Sequence, residues 1–149
     1  MRQLLLVILV ALLTAHPSAA QSAKPSPGKL EGTWTVVGIE AAGKTLPVDK
    51  VGIEQLTFTG DNLTVKMTGR DSPKYGVGLD TTRKPKWIDW IRDNDQSTLP
   101  GIFSLEGEEL RLCLPLVPLD RDPGRALLRP ENFDTKDKMH MLIVAKRSR

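Results

Sequence analysis

Residues 100–115 read P-G-I-F-S-L-E-G-E-E-L-R-L-C-L-P, and this stretch decides the fold. Two apolar runs flank Glu106-Gly107, and glycine accepts a positive φ there, so the pattern predicts a β-hairpin with a two-residue turn. The predicted register pairs Leu105 with Glu108, Phe103 with Leu110, and Gly101 with Leu112. Side chains alternate across a strand, so one face of this hairpin is apolar and the other is mostly polar.

The same alternation recurs along the chain and predicts six further strands, at residues 30–40, 54–59, 63–68, 74–80, 86–91 and 139–146. A second hairpin is expected around Asp61-Asn62, with Phe58 opposite Val65 and Leu56 opposite Met67. Residues 46–52 are expected to hold one helical turn behind Pro47. Eight short antiparallel strands usually curl, and closure removes both sheet edges. We therefore predict an all-β, eight-stranded, up-and-down antiparallel barrel with at most one or two short helical turns.

One face of these strands is expected to point into the barrel. Trp34, Phe58, Leu110 and Leu112 are predicted as structural core. The full inward set is Trp34, Leu56, Phe58, Val65, Met67, Val77, Leu79, Ile88, Trp90, Phe103, Leu110 and Leu112. Two interpretations stay open, since these side chains can fill a small barrel or line a cavity for an apolar ligand. The modest length and few aromatics favour a mostly filled barrel with a shallow mouth.

The first residues predict export. Arg2 is followed by an unbroken apolar run at residues 4–13, and Ser18-Ala19-Ala20 supplies the small residues of a cleavage site. We predict a signal peptide at residues 1–20, a disordered leader at 21–29, and one barrel domain at 30–147; an uncleaved anchor is the alternative. Periplasmic or extracellular localisation follows, with no stable membrane insertion after cleavage. The net charge of +3 at pH 7 is too small to indicate nucleic-acid binding.

Residue types that carry chemistry are scarce. Beyond the predicted signal peptide the chain has one histidine, His140, and one cysteine, Cys113. A metal site needs three or four converging ligands, so no metal and no cofactor are predicted. Cys113 is interpreted as a buried apolar filler, with a reactive or intermolecular thiol as the alternative. A Cys–His catalytic pair is not expected, since nothing in the pattern brings Cys113 and His140 together.

The connection at residues 115–133 is too long for a simple turn. It contains apolar side chains among arginines that recur every four residues. We expect this loop to fold over one barrel opening, with Trp87 or Trp90 beneath it and its arginines at the rim; the alternative is a structural strap on the outer wall. The candidate ligand-binding residues are Trp90, Phe103, Leu119, Arg121, Arg125 and Arg129.

Four segments of the sequence, taken together, resemble one protein family. L-E-G-T-W-T-V-V at residues 30–37 carries the G-x-W start of lipocalin-like barrels, as Gly32 and Trp34. The others are L-D-T-T-R-K-P-K-W-I-D at 79–89, G-I-F-S-L-E-G-E-E-L-R-L-C at 101–113, and R-P-E-N-F-D-T-K at 129–136. In this order they resemble an uncharacterised lipocalin-like secreted domain family abundant in planctomycete-type bacteria. The resemblance implies a small barrel in an exported protein, and no established reaction, ligand or catalytic residue.

The expected function is therefore a non-enzymatic binding domain. Its partner would be a small apolar ligand in the barrel, or an envelope protein at the barrel surface. The alternative is a structural or interaction domain of the cell envelope with a filled barrel and no ligand. A hydrolase that uses carboxylates is the third hypothesis, and the least favoured one.

Overall fold

The structure is a computed structural model that describes residues 28–116 and 126–149. In this part of the chain the backbone forms nine strands and one helical turn. They are β1 (Gly32–Ala41), β2 (Lys44–Leu46), α1 (Val48–Val51), β3 (Ile53–Thr59), β4 (Asn62–Met67), β5 (Lys74–Asp80), β6 (Lys86–Arg92), β7 (Thr98–Glu106), β8 (Glu109–Pro115) and β9 (His140–Arg147). The predicted signal peptide and most of the predicted leader lie outside the described residues.

Strand pairing closes the sheet into an eight-stranded antiparallel barrel, as predicted. β1 pairs with β3, each strand from β3 to β8 pairs with the next, and β9 pairs with β1 from Trp34 opposite Arg147 to Ala41 opposite Met141. The ninth strand, β2, is a short addition beside the end of β1. It follows a two-residue turn in which Ala42 and Gly43 both have positive φ. The predicted helical turn behind Pro47 is α1.

In both predicted hairpins the turn is misplaced by one residue, and the predicted register of paired residues is therefore wrong. The β7–β8 turn is Gly107-Glu108, so Phe103 lies opposite Leu112 rather than Leu110. Gly107 has a φ of 59°, and takes the first loop position, which a type II′ turn reserves for glycine. The β3–β4 turn is displaced by one residue in the opposite direction, to Gly60-Asp61, and Phe58 lies opposite Leu63 rather than Val65. Each displacement changes the partner by two residues, so the inward and outward faces stay as predicted.

The barrel interior is packed with side chains. All four predicted structural core residues, Trp34, Phe58, Leu110 and Leu112, are fully buried. The rest of the predicted inward set also belongs to this core or packs against it. Burial of each such side chain stabilises the fold by about 1.5–3 kcal/mol, so the inner face of the sheet dominates stability.

Candidate functional site

The two ends of the barrel differ. At one end, which we call the sealed end, the Trp34 Nε1–H donates to the Leu30 carbonyl at 2.8 Å. The Arg147 guanidinium lies 4.2 Å from the Trp34 ring centroid and donates to the carbonyls of Glu31 and Lys29. The last strand and the segment before β1 thus close this end over a fully buried tryptophan.

At the opposite end, which we call the open end, apolar side chains are only half-buried. They come from β2, α1, β4, β5, β7 and β9, and pack against the main core: Leu46, Val48, Val51, Met67, Tyr75, Leu99 and Met141. Half-buried apolar side chains that ring an opening offer surface that a ligand can cover. The open end is therefore the candidate site.

A groove of about 490 Å³ lies at one side of the open end. The start of β5, the end of β6 and the loop after β6 form its walls. Its lining residues are Pro73, Lys74, Tyr75, Arg92, Asp93 and Asn94. Tyr75 lies opposite Arg92 in the β5–β6 register, so one apolar ring stands beside a cationic side chain.

Tyr75 connects this groove to the barrel interior. Its ring centroid lies 5.4 Å from that of Trp90, with the two planes tilted by 42°. Trp90 is 4% exposed, and among the described residues its buried Nε1–H has no hydrogen-bond partner. A buried indole N–H is normally paired, so an acceptor that reached it would gain a hydrogen bond in an apolar setting.

Trp90 and Phe103 both point into the barrel, but the structure does not bring them together at one rim. Trp90 lies opposite Leu99, at the open end of β7. Phe103 is four residues further along β7, which corresponds to roughly 13 Å of strand. It lies near the sealed end, opposite Lys86, whose Nζ is 6.0 Å from the Phe103 ring centroid. Only Trp90 of this pair belongs to the candidate site.

The structure places Arg129 on the outer wall and not at the rim of the opening, which corrects the expectation for this residue. Its Nη2 donates to Asp89 Oδ1 at 2.7 Å and its Nη1 donates to the Gly101 carbonyl at 2.6 Å. Its guanidinium also lies 4.3 Å from the Trp87 ring centroid. An outward carboxylate, an aromatic face and a strand carbonyl together form a socket that satisfies this arginine.

In the structure the long connection extends from the end of β8 to the start of β9. Its described residues 126–138, which we call the strap, follow the outer-wall alternative. Trp87 lies beneath the Arg129 side chain of the strap, on the outer wall and not at a barrel mouth. Phe133 of the strap packs against a small outer cluster made of Ile102, Cys113 and Leu142. Three other candidate residues, Leu119, Arg121 and Arg125, lie outside the described residues.

Sequence reasoning missed the residue that holds the far end of the strap. Thr135 is fully buried, donates its hydroxyl proton to Glu40 Oε1, and accepts the Gly43 N–H at 3.1 Å. Thr135 and Glu40 are separated by 95 positions in the chain, and neither lies in a recognisable motif. The only feature of the sequence that could have pointed to Thr135 is its position between two charged residues in a loop.

Cys113 and His140 lie closer together than the sequence led us to expect. Cys113 is opposite Leu142 and His140 is opposite Pro115, so the two are diagonal neighbours on the outer face of β8 and β9. Burial raises the pKa of the Cys113 thiol to about 11, and burial followed by the charge of Lys138 lowers the pKa of His140. The thiol is therefore protonated at neutral pH, and this pair lacks the thiolate that nucleophilic catalysis needs.

Comparison of the chain with protein-family models, with curated proteins and with solved structures finds no match. Within the described residues, none of the helices has the length and apolar character needed to cross a membrane. In the same part of the chain, no three His, Cys, Asp or Glu side chains converge on a common point.

Proposed function

We propose that this protein is an exported, non-enzymatic binding domain that takes a small apolar ligand at the open end of its barrel. The observation that carries the proposal is the difference between the two ends. One end is closed by Trp34, Leu30 and Arg147 and has two half-buried apolar side chains, Leu79 and Leu105, whereas seven half-buried apolar side chains lie at the other. The resemblance of residues 30–37 to the first strand of lipocalin-like barrels supports the same function, and residues 1–20 support export.

The volume of the groove and the packing of the barrel interior support a ligand bound at the mouth. A volume of about 490 Å³ falls within the usual range for small-molecule sites. Leu56, Phe58 and Ile88 are fully buried in the interior, so the ligand would lie at the mouth and would not reach the centre of the barrel. Tyr75 and Leu99 would supply its apolar contacts, and the Trp90 Nε1–H would supply a single directed hydrogen bond.

The second candidate is a structural or interaction domain of the cell envelope, with a filled barrel and no ligand. The near-zero exposure of the interior side chains favours it. The outer-wall strap favours it too, because a fastened strap strengthens a scaffold without serving a ligand site. The two functions differ in whether the open end binds anything.

A neutral apolar fluorophore, 1-aminoanthracene, separates them. We expect saturable binding with one molecule per chain, measured by fluorescence titration and by native mass spectrometry. Leu99→Glu puts a charge on the open-end rim and should weaken binding at least tenfold, whereas Val37→Glu, at an exposed site on the outside of β1, should leave binding unchanged. Absence of saturable binding to the unmodified protein, together with no small molecule co-purifying from its source, would support the filled scaffold instead.

A further inference from the structure

The strap is fastened to the barrel by side chains and not by backbone. Among the described residues, no backbone-to-backbone hydrogen bond joins residues 126–138 to a strand; the one such bond within them is local, from the Lys138 N–H to the Thr135 carbonyl. Residues 132–138 carry their own turns, in which the Asp134 N–H donates to Asn132 Oδ1 and the Lys136 N–H donates to Asp134 Oδ1. The strap is thus a locally organised unit laid on the wall.

Two points fasten it. The first is the Arg129 socket on β6 and β7, where the Arg129 side chain is 20% exposed against 35% for Asp89. The second is Thr135, which bonds Glu40 at the end of β1 and the Gly43 N–H in the following turn. Between these points Pro130 is buried, and the half-buried Phe133 packs on the outer cluster and lies 6.0 Å from the Arg111 guanidinium. Loss of a few side-chain contacts would therefore release all of it.

The wall beneath the strap is complete without it. Strands β6 to β9 form an uninterrupted ladder, and β9 pairs with β1. The main core lies on the other face of the sheet and includes none of the three buried outer-cluster residues, Ile102, Cys113 and Leu142. Removing the strap would break no ladder bond and would expose no residue of the inner core.

We propose that the strap opens as a unit while the barrel stays closed, and that the open state exposes the outer cluster, including Cys113, to solvent. Local opening of this kind draws on segments with few backbone bonds to their surroundings, whereas barrel strands open only with global unfolding. This inference concerns the outer wall and does not depend on ligand binding at the open end.

Cys113 provides the reporter, because it is the single cysteine of the chain and is fully buried under the strap. The rate of iodoacetamide alkylation, followed by mass spectrometry of the intact protein, measures how often the thiol is exposed. The dependence of the alkylation rate on urea concentration distinguishes strap opening from global unfolding. The slope of this dependence scales with the surface exposed on opening. At low urea we expect a nearly flat rate from strap opening, followed by a steep rise when global unfolding takes over.

Arg129→Ala should raise the flat, low-urea rate about 10- to 100-fold, because it removes charge-assisted hydrogen bonds of the first fastening point. Thr135→Val should raise it as well, through the second point. Arg83→Ala is the matched control. Its guanidinium also lies over the Trp87 ring, at 4.5 Å, but it belongs to the β5–β6 turn and pairs with exposed Asp80. The control should label at the unmodified rate.

Three results would overturn the proposal. One is a labelling rate in the unmodified protein that depends steeply on urea at every concentration, since thiol exposure would then require global unfolding; this measurement needs no variant. Another is an unchanged low-urea rate in Arg129→Ala. The third is an equal increase of the low-urea labelling rate in Arg83→Ala. That result would show that the surroundings of Trp87, and not the fastening of the strap, control the exposure of the thiol.

Discussion

Replacing Trp34 by alanine should destabilise the barrel more than any other single truncation at its sealed end. Trp34 is fully buried, its Nε1–H is bonded to Leu30, and Arg147 stacks on its ring. Truncation of a buried tryptophan costs about 3–5 kcal/mol in lost transfer free energy and residual cavity. It also leaves the carbonyl of Leu30 without its hydrogen bond, and Leu30 is only 2% exposed.

The assay is urea unfolding, followed by far-ultraviolet circular dichroism so that the signal does not depend on the tryptophan removed. With a denaturant slope of about 2 kcal/mol/M, a loss of about 4 kcal/mol lowers the midpoint by about 2 M. Val37→Ala, on the same strand but 49% exposed, is the control and should shift the free energy of unfolding by less than about 0.5 kcal/mol. An unchanged midpoint in Trp34→Ala would refute the role of this end in stability.

A double-mutant cycle tests the Arg147 contact separately from burial. Trp34→Leu and Arg147→Met are made singly and together; leucine has no aromatic face, so each single substitution removes the contact, and the difference from additivity gives the coupling free energy. A cation over a tryptophan ring predicts a coupling of about 0.5–2 kcal/mol. Zero coupling would mean that Arg147 closes the sealed end only through its bonds to the carbonyls of Glu31 and Lys29.

Two further predictions concern other parts of the barrel. Because burial lowers the pKa of His140 below its ordinary value of 6.5, the unfolded chain binds the proton more readily, so the free energy of unfolding should fall as the pH drops from about 7 to 5. His140→Gln should remove that part of the fall, seen as a smaller shift of the urea midpoint, and an unchanged pH dependence would contradict the assignment. Gly101→Ala should cost about 1–3 kcal/mol, because a Cβ there would lie 2.5 Å from a Leu114 methyl carbon and 2.9 Å from the Cys113 carbonyl oxygen. Gly78→Ala, where the nearest atom is at 3.6 Å, is the matched control, and equal thermal unfolding midpoints in the two variants would refute the argument.

The inner and outer faces could be predicted from the sequence because they depend only on the two-residue period of a strand. Phe103 and Leu110 point inward in the predicted register and in the observed one, since the two registers differ by an even number of residues. The error came from the turn. Its position depends on which residue takes the positive φ, and Gly107 takes the first loop position instead of the second.

The neighbours of each side chain could not be predicted, because they depend on the pairing of strands that are distant in sequence. Alternation places Trp90 inward, but its contact with Tyr75 follows from the β5–β6 register. Likewise, the arginines of the long connection were expected at the rim of a barrel opening, whereas Arg129 is bound by Asp89, forty positions earlier. The sequence around a carboxylate on the outer face of a strand does not show which distant residue will pair with it.

The socket for Arg129 and the open-end site share strand β6 and use its opposite faces. On β6, Asp89 points outward to Arg129, and the next residue, Trp90, points inward to Tyr75. Arg129 also bonds the Gly101 carbonyl, and Gly101 is the register partner of Ile88, two positions from Trp90. The strap therefore braces the β6–β7 pair from outside, next to the level at which a ligand would contact it from inside. Because the sheet separates the two surfaces, the backbone ladder of β6 and β7 is the direct physical link between them in the described part of the chain.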